Sequence, residues 1–163
     1  NKIVTSDYQI INGLLVFIMS ISTFIFMPFT KNIYRNTAFT IEKTKKTLTL
    51  FGLIIVPISL LFVYGIVRFF LNLELTFWFY VVAFFYVFPS YVYGIEIVNL
   101  FKQHKEKRVV LFLCIGTICN WMLSLVLLKV HFGIVENLIG GAIAQLVVLF
   151  LFKSQKKLHE KIH

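Results

Sequence analysis

Charged residues are scarce in this sequence, and the scarcity excludes whole classes of protein. Asp, Glu, Lys and Arg make up 14% of the 163 residues, against about 25% in soluble domains. This composition excludes a soluble globular enzyme and a disordered tail. Cysteine occurs only twice, at Cys114 and Cys119. Both lie in one apolar run, so we predict small buried apolar side chains rather than a disulfide or a metal pair.

Residue patterns that support catalysis are also missing. Asp7 is the single aspartate, which excludes a paired-aspartate metal site for pyrophosphate chemistry. The histidines fall between or after the apolar runs without metal-ligand spacing, at His104, His131, His159 and His163. There is no glycine-rich phosphate loop and no serine–histidine or cysteine–histidine arrangement. We therefore predict a protein that is not an enzyme and that has no cofactor and no metal site.

Apolar residues are what the sequence has in abundance, at 59% of the chain. They form five continuous runs, at 9–29, 48–70, 77–100, 109–128 and 134–152. A helix that crosses about 30 Å of hydrocarbon needs roughly 20 such residues. The runs do not alternate with a period of two, which excludes a spanning barrel. The sequence predicts an all-α fold, a polytopic membrane helix bundle of about five transmembrane helices in a single domain.

The basic residues are distributed unevenly between the two ends of the predicted helices. The net charge of +9 would suggest a nucleic-acid partner in a soluble chain. Thirteen of the sixteen basic residues, however, follow the first, third and fifth runs, and the others are Lys2, Arg68 and Lys129. This bias is the positive-inside pattern. It predicts a bacterial cytoplasmic (inner) membrane protein with a cytoplasmic C-terminus, a basic tail at 153–163, contacts with membrane lipids and no nucleic-acid partner.

Four of the five runs carry a stripe of polar or small residues at helical spacing. The stripes comprise Gln9, Asn12, Gly13, Ser20, Thr23 and Thr30 in the first run, Tyr86, Ser90, Tyr93 and Glu96 in the third, Thr117, Asn120 and Ser124 in the fourth, and Asn137, Gly140, Gly141 and Ala144 in the fifth. Exposing a polar group to lipid costs free energy. Each stripe therefore indicates either ordinary packing between helices or the lining of a water-filled pathway.

The polar side chains of these stripes are the residues that a transported substrate would meet. The substrate-path candidates are Gln9, Asn12, Tyr86, Ser90, Tyr93 and Asn120. Pro28, Pro57 and Pro89 each lie within a run or at its end, where proline removes a hydrogen bond and bends a helix. Bent helices suit a protein that opens alternately to two sides, and they also occur in static bundles.

Three ionisable residues near the ends of the runs are further candidates. Glu96 lies inside the third run, which makes it a candidate for proton or cation coupling. Snorkelling to the headgroups is the alternative for that side chain. Arg68 and Lys129 lie at the end opposite to the basic loops, and we predict that they attract an anionic lipid headgroup or anchor the chain at the interface.

Four segments share an order of features with a known family. In SDYQIINGLLVFIMSISTFIFMPFTKNIYRN a tyrosine opens a helix that ends in a proline and a basic segment, and LTLFGLIIVPISLLF is a proline-bearing helix. FPSYVYGIEIVNLFKQHKEKR is a proline–glycine helix that runs into a basic loop, and CNWMLSLVLLKVHFGIVENLIGGAIAQLVV joins an asparagine-bearing helix to a glycine–alanine-rich last helix. Together they resemble the C-terminal part of the bacterial polysaccharide (O-antigen and capsule) flippase family, in the multidrug/oligosaccharidyl-lipid/polysaccharide exporter superfamily.

The resemblance implies both an architecture and an activity. In that family twelve helices form two six-helix lobes around a central cavity, so this chain would supply the last five, an incomplete second lobe. The sequence begins at Asn1, and we expect the missing N-terminal helices of the same polypeptide to be its partner. The implied activity is translocation of an undecaprenyl-diphosphate-linked oligosaccharide across the cytoplasmic membrane by alternating access, with that lipid-linked oligosaccharide as substrate.

Two other functions fit the same features. A cation-coupled multidrug exporter of the same superfamily needs an acidic site in the membrane, for which Glu96 is the candidate. A non-transporting membrane scaffold of a glycan-assembly complex would hold its partners through the basic loops. A glycan polymerase or transferase is disfavoured, because the sequence has neither a large outer loop nor acidic catalytic motifs.

Overall fold

The fold consists of five α-helices. The computed structural model describes the backbone of residues 2–35, 38–130 and 134–160, and the side chains of 7–28, 30, 34–35, 41–127, 135 and 138–154. The helices are α1 Lys2–Arg35, α2 Ala38–Phe70, α3 Phe77–Lys102, α4 Glu106–Val130 and α5 Ile134–Glu160. Each contains one of the five apolar runs, and no strand occurs in the described ranges. The predicted all-α helix bundle is confirmed.

Four of the helices have the length and composition of membrane-spanning segments. They are Asp7–Pro28, Ile41–Phe70, Phe77–Lys102 and Glu106–Leu127. The described part of α5 contains the shorter apolar segment Leu138–Ser154, so the fifth predicted span stays a prediction. Large apolar side chains such as Phe62 and Trp121, both 71% exposed, cover the outside of the bundle. An apolar surface of this extent suits lipid rather than water, which makes this a membrane protein.

The two cysteines differ from their predicted state. Both are free, but Cys114 is exposed and Cys119 is partly buried. The prediction that both are buried is wrong for Cys114. The reason is that α4 packs mainly against α5 and leaves its other side on the outside of the bundle.

Helix α3 forms the centre of the bundle, with α1 and α2 on one side and α5 on the other. The hydroxyl of Tyr86 in α3 bonds to Asn12 in α1, and the ring of Phe26 lies against Gly94 further along both helices. Helices α1 and α3 are therefore parallel. A Cβ atom at Gly94 would lie 2.0 Å from the Phe26 ring, so the absence of a side chain there lets the two helices approach.

The basic residues of two junctions lie at one end of the bundle, where a defined turn follows α3. The Lys105 N–H donates to the Leu100 carbonyl at 2.9 Å and the His104 N–H to the Phe101 carbonyl at 3.0 Å, the paired bonds of a Schellman motif. This motif needs a left-handed residue, and the φ angle of His104 is 55°. Because α1 and α3 are parallel, the α1–α2 and α3–α4 junctions share one end, the basic end. The α2–α3 loop, 71–76, lies at the opposite end.

Candidate functional site

A groove of about 560 Å³ runs between α1 and α3. Its lining extends from Val16 to Thr30 on α1 and from Tyr86 to Val98 on α3, with Leu113 of α4 at its edge. At 1.5 Å per residue these stretches are about 21 Å and 18 Å long. This α1–α3 groove therefore covers more than half of a membrane core of about 30 Å, and it extends toward the basic end.

The α1 wall of the groove presents hydroxyl groups at helical spacing, from Ser20, Thr23 and Thr30. The Ser20 hydroxyl donates to the Val16 carbonyl at 2.9 Å, and the Thr30 hydroxyl donates to the Met27 carbonyl at 2.7 Å. Because these protons are engaged by the helix's own backbone, the oxygen lone pairs stay available. The wall therefore offers acceptors for the O–H or N–H groups of a ligand.

The α3 floor of the groove is held by two tyrosine hydrogen bonds. The Tyr86 hydroxyl donates to Asn12 Oδ1 of α1 at 3.2 Å. The Tyr93 hydroxyl donates to Gln145 Oε1 of α5 at 2.7 Å, and its ring stacks on Phe152 with centroids 5.5 Å apart. These contacts tie α3 to α1 and α5, so the rings that line the groove are fixed in position.

The structure brings three of the six predicted path residues together in the groove. Tyr86, Ser90 and Tyr93 line it. The Ser90 hydroxyl is buried and donates to the Val87 carbonyl of its own helix at 2.8 Å. Asn12 lies beyond the lining and holds Tyr86 in place. Gln9 is exposed, one turn earlier on α1, and does not line the groove.

Asn120 lies in a different contact, between α4 and α5. Its Oδ1 accepts a hydrogen bond from the Ser124 hydroxyl at 3.3 Å. Both side chains face Gly140, where a Cβ atom would lie 2.9 Å from Ser124 Oγ and 3.5 Å from Asn120 Oδ1. The polar stripe of α4 therefore packs on the glycine stripe of α5. Of the two expectations for such a stripe, this is packing between helices rather than the lining of a pathway. The Asn137 side chain lies outside the described residues.

The candidate ionisable residues form ion pairs at opposite ends of α2 and α3. The Glu96 carboxylate accepts a hydrogen bond from the Lys45 ammonium of α2, and both side chains are largely buried. Arg68 donates to Glu74 in the α2–α3 loop, where both groups are exposed. The Lys129 side chain lies outside the described residues. Among the described side chains, no three of His, Cys, Asp or Glu lie close enough together to hold a metal ion.

Three partners in these contacts were not singled out from the sequence. Gln145 is an amide within an apolar run, and that polarity is the signal that identifies it. Lys45 of α2 pairs with Glu96 of α3, and Glu74 of the α2–α3 loop pairs with Arg68 of α2. The Lys45 pair follows from which helices are neighbours, and residue spacing within a helix carries no such information.

No protein-family model, curated protein or solved structure matches this chain.

Proposed function

We propose that this chain belongs to a transporter that moves an undecaprenyl-diphosphate-linked oligosaccharide, a unit of O-antigen, capsule or exopolysaccharide, across the cytoplasmic membrane by alternating access. One observation carries the proposal. The hydroxyls of Ser20, Thr23 and Thr30 line the same groove as Tyr86 and Tyr93, inside a bundle of apolar helices.

The lining of the groove suits an amphipathic ligand. Sugar hydroxyls are donors, and the hydroxyl oxygens of Ser20 and Thr30 are acceptors whose own protons are engaged elsewhere. The partly exposed Tyr86 ring in the lining provides an apolar surface for the C–H groups of a sugar. The remaining lining is apolar and accommodates the first part of a lipid chain, while the rest of that chain stays in the bilayer.

The position of the groove suits entry from the side on which the basic residues lie. Its lining extends to Thr30 on α1 and Val98 on α3, close to where both helices end at the basic end. Lys43 and Lys46 are exposed there, and they attract the diphosphate of an incoming lipid-linked sugar. On the orientation predicted from the basic residues, this end faces the cytoplasm.

The geometry gives less support to a cation-coupled exporter. Its coupling residue would be Glu96, which does not line the groove. The Glu96 carboxylate is paired with Lys45, so a cation would have to displace an ammonium group that already neutralises the charge. No described contact favours a scaffold over a transporter.

Deletion of the gene in its own host tests the proposal. We expect loss of surface polysaccharide together with accumulation of the undecaprenyl-diphosphate-linked oligosaccharide, both restored by the full-length gene. A scaffold would lower synthesis without accumulation, and an exporter would leave both quantities unchanged. Either of those results would overturn the proposal.

A groove-filling variant locates the path within the full-length protein. Thr23→Trp places an indole among the groove residues, and we expect surface polysaccharide to fall to the level of the deletion strain. Thr117→Trp is the matched control, because Thr117 is also an exposed threonine in an apolar helix but lies outside the groove. Equal polysaccharide from both variants, at equal protein in the membrane, would place the path elsewhere.

A further inference from the structure

A second groove, of about 440 Å³, lies between α2 and α3. Its lining residues are apolar except for one tyrosine. The lining residues are Pro57, Leu60, Leu61, Tyr80, Val81, Phe84 and Phe85. This α2–α3 groove is separate from the α1–α3 groove, because the two share no lining residue.

One face of α2 continues from this groove to the end of the helix. Pro57, Leu61, Tyr64 and Arg68 follow one another at helical spacing. The twelve residues from Pro57 to Arg68 span about 16 Å, close to half of a hydrocarbon core of about 30 Å. If Arg68 lies at the headgroups, Pro57 lies near the middle of the membrane, and the groove has the depth of one leaflet.

The upper part of this face has the composition of a membrane interface. The rings of Tyr64 and Tyr80 meet edge to face with centroids 6.0 Å apart, and tyrosine is enriched at the level of the headgroups. Above them Arg68 pairs with Glu74, with side chains 45% and 80% exposed. A positive and a negative group are therefore presented side by side at the top of an apolar groove.

We infer that this face binds a phospholipid with a zwitterionic headgroup, of the phosphatidylethanolamine type. An acyl chain occupies the α2–α3 groove, the phosphate accepts hydrogen bonds from the Arg68 guanidinium, and the ammonium donates to the Glu74 carboxylate. Charge complementarity selects this occupant, because a purely anionic headgroup gains from Arg68 but is repelled by Glu74. On the predicted orientation the lipid belongs to the outer leaflet, and its binding does not depend on the transported substrate.

Competition between lipids on the purified full-length protein tests the inference. The protein is exchanged in mild detergent into equimolar phosphatidylethanolamine, phosphatidylcholine and phosphatidylglycerol with identical chains, and the lipids retained are counted by native mass spectrometry. We expect phosphatidylethanolamine to be retained preferentially. Arg68→Gln and Glu74→Gln each lower its retention by about two- to fivefold, the range for one exposed ion pair. Preferential retention of phosphatidylglycerol would overturn the inference in favour of a simple cationic site.

Filling the groove separates a specific site from general lipid contact. Leu61→Trp blocks the position of the acyl chain, and we expect the preference for phosphatidylethanolamine to disappear. Leu125→Trp is the control, because Leu61 and Leu125 are 69% and 61% exposed but only Leu61 lines the groove. Loss of the preference in both variants, or in neither, would contradict the site. Protein yield and elution volume show whether each variant is folded.

Discussion

The α1–α3 and α4–α5 contacts start from similar residues and differ in what they leave between the helices. Each involves a helix with serine, threonine or asparagine at helical spacing. Between α4 and α5, Asn120 and Ser124 lie against Gly140, and the helices close on each other. Between α1 and α3, Ser20 and Thr23 line a groove of about 560 Å³. The same type of stripe is thus a packed contact in one place and an open surface in the other.

The size of the side chains on the facing helix accounts for this difference. In the α4–α5 contact the small residue alternates between the partners, and a Cβ atom at Gly116 would lie 2.4 Å from the Val148 side chain. Such close backbone approach leaves no space to fill. In the α1–α3 contact, Tyr86 and Tyr93 stand on α3 with their hydroxyls engaged by neighbouring helices. Gly94 lets α1 and α3 approach beside the Phe26 ring, and the groove, lined by the two fixed tyrosine rings, lies alongside that close contact.

The largest expected effect comes from a substitution where the α1–α3 and α4–α5 regions meet. Gly141 of α5 lies under Tyr86, and a Cβ atom there would be 2.4 Å from the tyrosine ring. Gly141→Leu must displace the ring or separate α5 from α3, which costs about 1–3 kcal/mol. We expect a clear fall in the thermal unfolding temperature of the full-length protein in detergent, together with loss of surface polysaccharide.

A glycine in open space supplies the control for that substitution. No atom lies within 4 Å of the Cβ position at Gly65 in α2. Because glycine is a poor helix former, Gly65→Leu should leave the unfolding temperature unchanged or raise it, by up to about 1 kcal/mol of stability. Equal destabilisation by the two substitutions would contradict a specific close contact at Gly141.

Residue spacing predicts which residues share a helix face, and the α1–α3 groove shows what spacing can and cannot predict. Tyr86, Ser90 and Tyr93 were predicted to lie on one face, and they line the groove together. Asn120 was predicted by the same reasoning and lies against Gly140 instead. Spacing identifies a common face because the helix has a fixed period. It does not identify the helix that covers that face, and the covering side chains decide between a groove and a contact.

The next prediction concerns the hydrogen bond that holds the α3 floor of the α1–α3 groove. The Tyr93 hydroxyl bonds to Gln145 of α5, and its ring stacks on Phe152. Tyr93→Phe removes only the hydrogen bond and keeps the ring, so the variants Tyr93→Phe, Gln145→Leu and the double variant form a thermodynamic cycle. We expect a coupling free energy of about 0.6 kcal/mol, with an upper limit of about 1.7 kcal/mol. A coupling of zero would mean that ring stacking alone fixes the floor.

The ion pair at the basic end has an expected effect on stability of similar size. The Lys45 and Glu96 side chains keep 22% and 15% of their surface exposed, so solvent screens part of their attraction. We expect Lys45→Met and Glu96→Gln each to lower the free energy of unfolding by about 1 kcal/mol, and the double variant to lose less than the sum. Surface polysaccharide should persist in Glu96→Gln. Its loss at unchanged stability would instead support cation coupling through Glu96.

That ion pair also marks a limit of prediction from residues alone. Glu96 is a recognisable candidate because carboxylates are rare in apolar helices. Its partner lies 51 positions away in the sequence, among several lysines of a polar segment that have the same local character. Only the packing of α2 against α3 selects Lys45. The five apolar runs, in contrast, predict helices directly, because a backbone in lipid must satisfy its own hydrogen bonds.

A last pair of substitutions compares the apolar α2–α3 groove with the hydrogen-bonded centre of the bundle. Tyr80 and Tyr91 lie on the same helix. The Tyr91 hydroxyl donates to the Ile18 carbonyl at 2.9 Å, whereas the Tyr80 hydroxyl is buried without a hydrogen-bond partner among the described residues. Tyr91→Phe should therefore cost about 1 kcal/mol, and Tyr80→Phe should cost nothing or stabilise, because it removes an unpaired buried group. An equal fall in the unfolding temperature of both variants would contradict this difference between the two hydroxyls.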